Sequence, residues 1–315
     1  VICDLGRQLL RFIPNGLFEI LTEHGGRSVA EIKALYDGQC DREIDEYFDF
    51  LLREELGFWC DEPAAFPPIA LDSEWPQRIT NAILDVDRSS THDYPAILAQ
   101  LDDLGCEALQ VRCYDPLDRG LLDRLLAGAV RGRLRSIDLL LAYEPALTDE
   151  ALTGLCRHHP RLSRICVHSA PEDRACTSAP QGVEIDYRRE VVGSPACCGC
   201  VHPSYFAPNL ETFLEAQRHN TCLNRKVAVD ARGEIRNCPS LGVSYGNVRD
   251  VSLHSAVARR DFREMWEINK DQIEVCKDCE FRYICIDCRA YLSRQEDRYS
   301  KPAKCGYDPY TARWR

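Results

Sequence analysis

Cys276-Lys277-Asp278-Cys279-Glu280-Phe281-Arg282-Tyr283-Ile284-Cys285-Ile286-Asp287-Cys288 places four cysteines at the spacing C-x2-C-x5-C-x2-C, and Cys305 follows after sixteen intervening residues. Upstream, Cys222 and Cys238 flank a segment in which Val227 to Asp230 and Glu234 to Arg236 read as strands joined through Ala231-Arg232-Gly233. Such a hairpin brings its two flanking sulfurs near one another, while short C-x2-C steps wrap a single centre. Thiolates in this arrangement suit zinc or iron–sulfur clusters, both soft enough for sulfur. One zinc takes four ligands, so seven or eight thiolates supply two zincs or two clusters.

The rest of the composition narrows the setting. The chain has 315 residues, room for two or three domains. It contains 18 cysteines, but secreted disulfide scaffolds are usually short, and clustered cysteines in a long chain point to metal. Cys40, Cys60, Cys106, Cys113, Cys156, Cys166 and Cys176 share no ligand spacing and read as buried thiols. Net charge is −11, and residues 1 to 62 hold 14 Asp/Glu against 6 Lys/Arg. That balance argues against a nucleic-acid partner, which requires a basic face. No apolar run approaches a membrane span and no cleavable secretory signal is present, so a cytoplasmic location is expected. The chain opens on Val1, already in strand-like sequence, so it is expected to begin downstream of its natural start.

Residues 1–65 read as a small winged-helix unit. Ile2 to Leu5 and Leu9 to Phe12 form a hairpin around Gly6-Arg7. Pro14-Asn15 opens a helix through Leu17, Phe18, Ile20 and Leu21 that stops at Gly25-Gly26. Ser28 and Glu31 have capping-box spacing for a second helix. A third starts near Asp41 with Ile44, Phe48, Leu51, Leu52 and Leu56 on one face. Phe58-Trp59-Cys60 reads as a returning strand and Asp61 to Pro68 as a linker. Residues 66–195 alternate strand and helix. The strands are Ile79 to Val86, Ala108 to Cys113, Ile137 to Ala142 and Ser163 to His168. The helices are Pro95 to Leu104, Leu117 to Leu126 and Asp149 to Cys156. This α/β order implies parallel strands covered by helices, with too few units to close an eight-fold barrel. Asp85 and Asp87 read as a solvated strand end. Residues 196–315 hold the cysteine-rich region, with a helical segment around Ala256 to Ile268.

The cysteine pattern C-x10-G-x4-C, then C-x2-C-x5-C and two further cysteines, resembles the SPASM domain of radical SAM peptide maturases. His219-Asn220-Thr221-Cys222-Leu223-Asn224-Arg225-Lys226 and Cys279 to Cys285 narrow the resemblance to the SPASM-domain maturases of grasp-with-spasm systems. Those proteins act on ribosomally made peptides alongside an ATP-grasp ligase. The resemblance implies two [4Fe–4S] clusters. Cys222, Cys238 and Cys288 would serve the first, and Cys276, Cys279, Cys285 and Cys305 the second. Cys285 and Cys288 are separated by two residues where the general pattern has three, which leaves open a C-x2-C pair sharing one cluster. The eighth ligand lies among Cys197, Cys198 and Cys200, of which Cys198-Gly199 best matches the family pattern. His202 and His219 are weaker candidates, and an open iron site is the further alternative.

Radical SAM enzymes carry C-x3-C-x2-C after the first barrel strand. Here that loop reads Asp85-Val86-Asp87-Arg88-Ser89-Ser90-Thr91, and the motif occurs nowhere in the chain. The middle region thus resembles a degenerate partial radical SAM (β/α) barrel, for which no cleavage of S-adenosylmethionine is expected. No other catalytic constellation stands out, so no catalytic residue is assigned. The N-terminal unit resembles the PqqD-like recognition element, in which a precursor leader adds a strand to the sheet edge and packs along the third helix. Phe50 falls outside the apolar stripe of that helix and Tyr47 sits on its flank, which makes both candidate peptide contacts. The resemblance therefore implies an iron–sulfur protein that binds a precursor leader and acts with an ATP-grasp ligase. The alternatives are a redox enzyme modifying the peptide at an open auxiliary cluster, or a zinc-stabilised adaptor.

Overall fold

Short runs rich in Leu, Ile and Val, each followed by an amphipathic helix, build the centre of the molecule. The computed structural model describes residues 1–72, 76–117, 119–129 and 132–315. At the N-terminus, β1 (Ile2–Asp4) and β2 (Leu9–Arg11) form an antiparallel hairpin. Asp4 Oδ1 holds its turn by accepting from the Gly6 and Arg7 amides at 3.0 and 2.8 Å. Helices α1 (Asn15–Glu23), α2 (Val29–Leu35) and α3 (Asp41–Arg53) follow. The capping box forms as the sequence predicts. Glu31 accepts from the Ser28 amide at 2.7 Å while the Ser28 side chain accepts from the Glu31 amide.

On α1, Leu17 and Ile20 enter the core, while Phe18 and Leu21 face outward, 54% and 43% exposed. Two N-terminal expectations need correction. Phe58-Trp59-Cys60 makes no strand. Trp59 instead stacks on Phe48 with ring centroids 5.8 Å apart, and Cys60 is exposed rather than buried. A three-residue segment without a partner strand gains no ladder bonds, so an aromatic contact on α3 decides its path. Cys3, Cys40 and Cys166 are half-buried, while Cys106, Cys113, Cys156 and Cys176 lie in the interior.

The central sheet has eight strands in the order β10-β9-β3-β4-β5-β6-β8-β7. They are β3 (Asn81–Val86), β4 (Ala108–Cys113), β5 (Ser136–Ala142), β6 (Leu162–His168), β7 (Arg174–Ala175), β8 (Glu184–Tyr187), β9 (Lys226–Val229) and β10 (Ile235–Arg236). All pairings are parallel except β9 with β10 and β7 with β8. No pairing among the described residues joins β10 to β7, so the sheet stays open. Helices α4 (Tyr94–Asp103), α5 (Arg119–Gly128) and α6 (Asp149–His158) follow β3, β4 and β5. The expected first residues of the α5 pattern include Asp118, which lies outside the described residues.

One face of the sheet is a continuous apolar core. Leu84, Val86, Val111, Leu139, Ile165 and Val229 meet Leu98, Leu101, Leu125 and Leu155 from the helices. Because side chains alternate along a strand, the opposite face carries Asn81, Asp85, Gln110, Arg112, Asp138 and Lys226. The pairing of β9 with β3 ties the cysteine-rich region to this sheet; Asn81 stands opposite Lys226 and Ala82 opposite Val227. Beyond it come α7 (Leu210–Ala216), α8 (Leu253–Ala258) and a last helical turn, Arg260–Arg263, continuing as 3-10 helix to Glu267. Among the described residues no helix is long and apolar enough to cross a membrane.

Asp85 differs most from its sequence reading. It is 1% exposed and paired with Arg112, itself 3% exposed, through two bonds of 2.7 and 2.9 Å. The Tyr114 hydroxyl donates a third at 2.8 Å. Register explains this, since Asp85 and Arg112 are direct partners across parallel strands and share a face. Burial raises the Asp85 pKa, and Arg112 opposes that rise without cancelling it. Asp87 stays in the following loop, where it caps the amide and hydroxyl of Ser89.

Candidate metal centre

The downstream cysteines gather in two groups, and a buried ionic network of Lys270, Asp287 and Arg289 borders both. Cys276 opens a 3-10 turn, and the Cys279 amide closes the turn onto the Cys276 carbonyl at 3.0 Å. Val275, just before it, holds φ +67°, a costly conformation for a β-branched residue. Cys276 and Cys285 are buried, and Cys279 and Cys305 half-buried. Phe281, Ile284 and Tyr307 pack around Cys279, Cys285 and Cys305, while Ile268 and Ile273 pack around Cys276. Burial pushes the Cys279 thiol up to about 12 and the Cys285 thiol up to about 11. In both, neighbouring cysteines add to the rise: Cys285 and Cys276 act on Cys279, and Cys305 and Cys276 act on Cys285. A bound cation would displace these protons, so loading is linked to proton release.

Cys198, Cys222, Cys238 and Cys288 line a single cavity of about 360 Å³, together with Cys197 and Cys200. Burial pushes the Cys238 thiol up to about 11, with Cys222 adding to it. Burial likewise raises Cys288, with Cys222 and Cys198 adding. Burial also raises Cys197, with Arg112 opposing the rise and Cys198 adding to it. This cavity is more open than the first group, since Cys197, Cys198 and Cys200 are all exposed. Their loop is fixed from behind. Lys304 Nζ donates to the carbonyls of Ala196 and Cys198 at 2.5 and 2.7 Å, and the Ser240 hydroxyl donates to the Pro195 carbonyl at 3.1 Å.

Gly199 forms part of the cavity wall. At φ +89° its backbone approaches so closely that a Cβ would stand 3.0 Å from Cys288 Sγ and 2.8 Å from the Tyr291 ring. The β9–β10 hairpin brings Cys222 and Cys238 to the same cavity as the sequence predicts, with Asp230 accepting from the Arg232 and Glu234 amides in its turn.

Each thiol group has a lysine that spacing alone did not single out. Lys226 places its ammonium 3.5 Å from Cys222 Sγ. Burial would lower its pKa, but the Cys222, Cys238 and Cys198 sulfurs outweigh that and raise it. Lys270 is buried, and although burial opposes its charge, Asp287, Cys285 and Cys276 raise it to about 12. Asp287 lies between the two groups. It pairs with Arg289 at 2.7 Å and Lys270 at 3.5 Å, and accepts from Asn220 Nδ2 at 2.8 Å. Arg289 in turn lines the cysteine cavity and donates to the Ser300 carbonyl at 2.8 Å. The one signal in the sequence was the position of Asp287 between Cys285 and Cys288.

Neither candidate histidine lines the cavity. His202 is exposed and binds Ser204 at 2.8 Å, and burial holds His219 below the usual imidazole range. Tyr47 is half-buried with its hydroxyl beside Gly16 of α1, and Phe50 is half-buried with the Arg53 guanidinium 5.8 Å from its ring.

Among the described residues, no three His, Cys, Asp or Glu side chains converge tightly enough for a single metal ion. A cubane takes one thiolate per iron. Soft donors, a lysine beside each group and a cavity wall admitting only glycine suit an anionic cluster. No protein-family model matches the chain, and no curated protein matches it.

Proposed function

We propose that this chain is an iron–sulfur protein of the SPASM type, acting in the maturation of a ribosomally synthesised peptide beside an ATP-grasp ligase in the cytoplasm. The observation that carries this reading is the segregation of the thiols. Cys198, Cys222, Cys238 and Cys288 line one cavity with Cys197 and Cys200, while Cys276, Cys279, Cys285 and Cys305 lie outside its lining and influence one another. This grouping supports the two ligand sets the motif implies, each for one [4Fe–4S] cluster. Such clusters supply one-electron redox chemistry or an iron site for substrate, and the protein's contribution is to enclose them and balance their charge. The middle region serves as a degenerate radical SAM barrel, with the Asp85–Arg112 pair at the strand end where the family carries its catalytic cluster. The exposure of Cys197, Cys198 and Cys200 favours a second reading, in which the first cluster itself contacts the peptide.

The Gly199 wall gives one test. Gly199→Ala is expected to push Cys288 out of place and cost about four irons per chain, one cubane. Iron analysis checks it, and full iron content in the variant would remove the wall from the site.

In this reading residues 1–65 are a winged-helix, PqqD-like element that captures the precursor leader. Its support is the β1–β2 hairpin, whose outer edges pair with nothing among the described residues, beside α3 with Phe50 and Tyr47. The acidic surface favours a leader carrying Lys or Arg, with binding that weakens as salt rises. Titration calorimetry of the full chain with the precursor encoded beside it is the test. Phe50→Ala is expected to weaken binding by about 1–2 kcal/mol. Unchanged affinity would take Phe50 out of the interface, and no binding by the parent protein would end the recognition role.

A further inference from the structure

Glu215, on α7, lies behind the loop that carries Cys222. Its Oε1 accepts from Asn224 Nδ2 at 2.9 Å, and no other side-chain donor among the described residues reaches the carboxyl. A polar cavity of about 90 Å³ opens beside it, lined by Thr80, Asn81, Glu211, Thr221, Asn224 and Arg225. That is room for several waters, each needing about 10–15 Å³ of such space, and the wall offers polar partners for them. On the far side of the same loop, Lys226 reaches Cys222 Sγ. Lys226 therefore acts on both groups, favouring the charged form of Glu215 and being stabilised in turn by the Cys222, Cys238 and Cys198 sulfurs.

We infer that Glu215 is a proton-uptake site coupled to reduction of the cluster held by Cys198, Cys222, Cys238 and Cys288. The inference rests on the cluster assignment proposed above. One electron from an external one-electron donor enters the cluster, and one proton from solvent passes through the polar cavity to the Glu215 carboxylate. The added negative charge is thereby matched by one positive charge, with no bond made or broken in the peptide. The physical cause is the cost of unbalanced charge in a partly dry interior. Reduction makes the sulfurs more negative, binds Lys226 more firmly to them and disfavours a second anion nearby.

The charged groups around Glu215 are few. Glu211 lies one helical turn away, Arg225 lines the same cavity, and Lys226, at the start of β9, acts on it from beyond the loop; Thr80 and Asn81, at the entry to β3, are neutral. His219, one turn further along, is acted on by Arg225, Glu267 and Arg218. Burial, aided by Glu211, holds the Glu215 carboxyl up to about 7 against the pull of Asn224, Lys226 and Arg225. A group that is half-ionised near neutrality responds most to a nearby change of charge.

The test is a set of EPR-monitored redox titrations of the anaerobically purified holoprotein between about pH 6 and 9. Iron and sulfide are assayed first. Above pH 7, each tenfold fall in proton concentration is expected to lower the potential of one cluster by up to about 59 mV, the one-electron, one-proton constant. The other cluster should stay level. Glu215→Gln keeps the size and the Asn224 contact but cannot take up the proton, so its profile should be flat at full iron content. Level profiles for both clusters in the parent protein, or an unchanged slope in Glu215→Gln, would overturn the inference alone. Protein purified without iron and sulfide would instead overturn the cluster assignment beneath it.

Discussion

Anaerobically purified protein is expected to carry about eight irons and eight sulfides per chain, and Cys279→Ala about four of each. The variant removes a sulfur that packs with Cys285, Cys305 and Phe281 and opens the group that also contains Cys276. Three thiolates leave one iron without a protein ligand in a site walled by apolar rings, where little else can replace it. Cys198, Cys222, Cys238 and Cys288, which line a cavity with Cys197 and Cys200, should keep their cluster. The loss should reach the fold as well. Phe12, Phe206 and Tyr307 all pack on Phe281, which follows Cys279 by two residues, and the β1–β2 hairpin contacts the same apolar group. Cys40→Ala, on the N-terminal unit, should leave iron unchanged. About two zincs per chain with no broad absorbance near ~400 nm would refute the cluster reading, because zinc has no such band.

The second large effect is expected from Asp287→Ala. Asp287 is 1% exposed and the shared anion of Lys270 and Arg289, both buried, and it also accepts from Asn220. Removing one partner of a buried ion pair costs about 3–5 kcal/mol, because the opposite charge is left without compensation. Here two cations lose their partner at once. Against a typical stability of about 5–15 kcal/mol, that is a large fraction. Thermal and denaturant unfolding of parent and variant, matched for metal content, measure the loss. A difference below about 1 kcal/mol would mean that the sulfur groups alone balance Lys270 and Arg289.

Local features were legible wherever local chemistry decides them. The strands β3, β4, β5 and β6 and the helices after the first three of them follow from runs of branched residues alternating with 3.6-residue periodicity. The Ser28–Glu31 capping box and the Gly233 turn follow from residues a few positions apart. Asp85 was placed in water because nothing in its own segment announces Arg112 on the adjoining strand.

What the sequence by itself determined is the alternation of strand and helix, the absence of a C-x3-C-x2-C loop, and the regular spacing of the downstream thiols. Each depends on neighbours along the chain, within reach of a turn, a helical repeat or a hairpin. Only the tertiary structure decided that β9 joins β3, that Cys198 shares a cavity with Cys222, Cys238 and Cys288, and that Lys226, Lys270, Asp287 and Arg289 lie among the thiols. Those placements depend on which surfaces meet once the apolar face of the sheet is covered. Charge enclosed beside sulfur is a property of that packing, and the order of residues along the chain does not carry it.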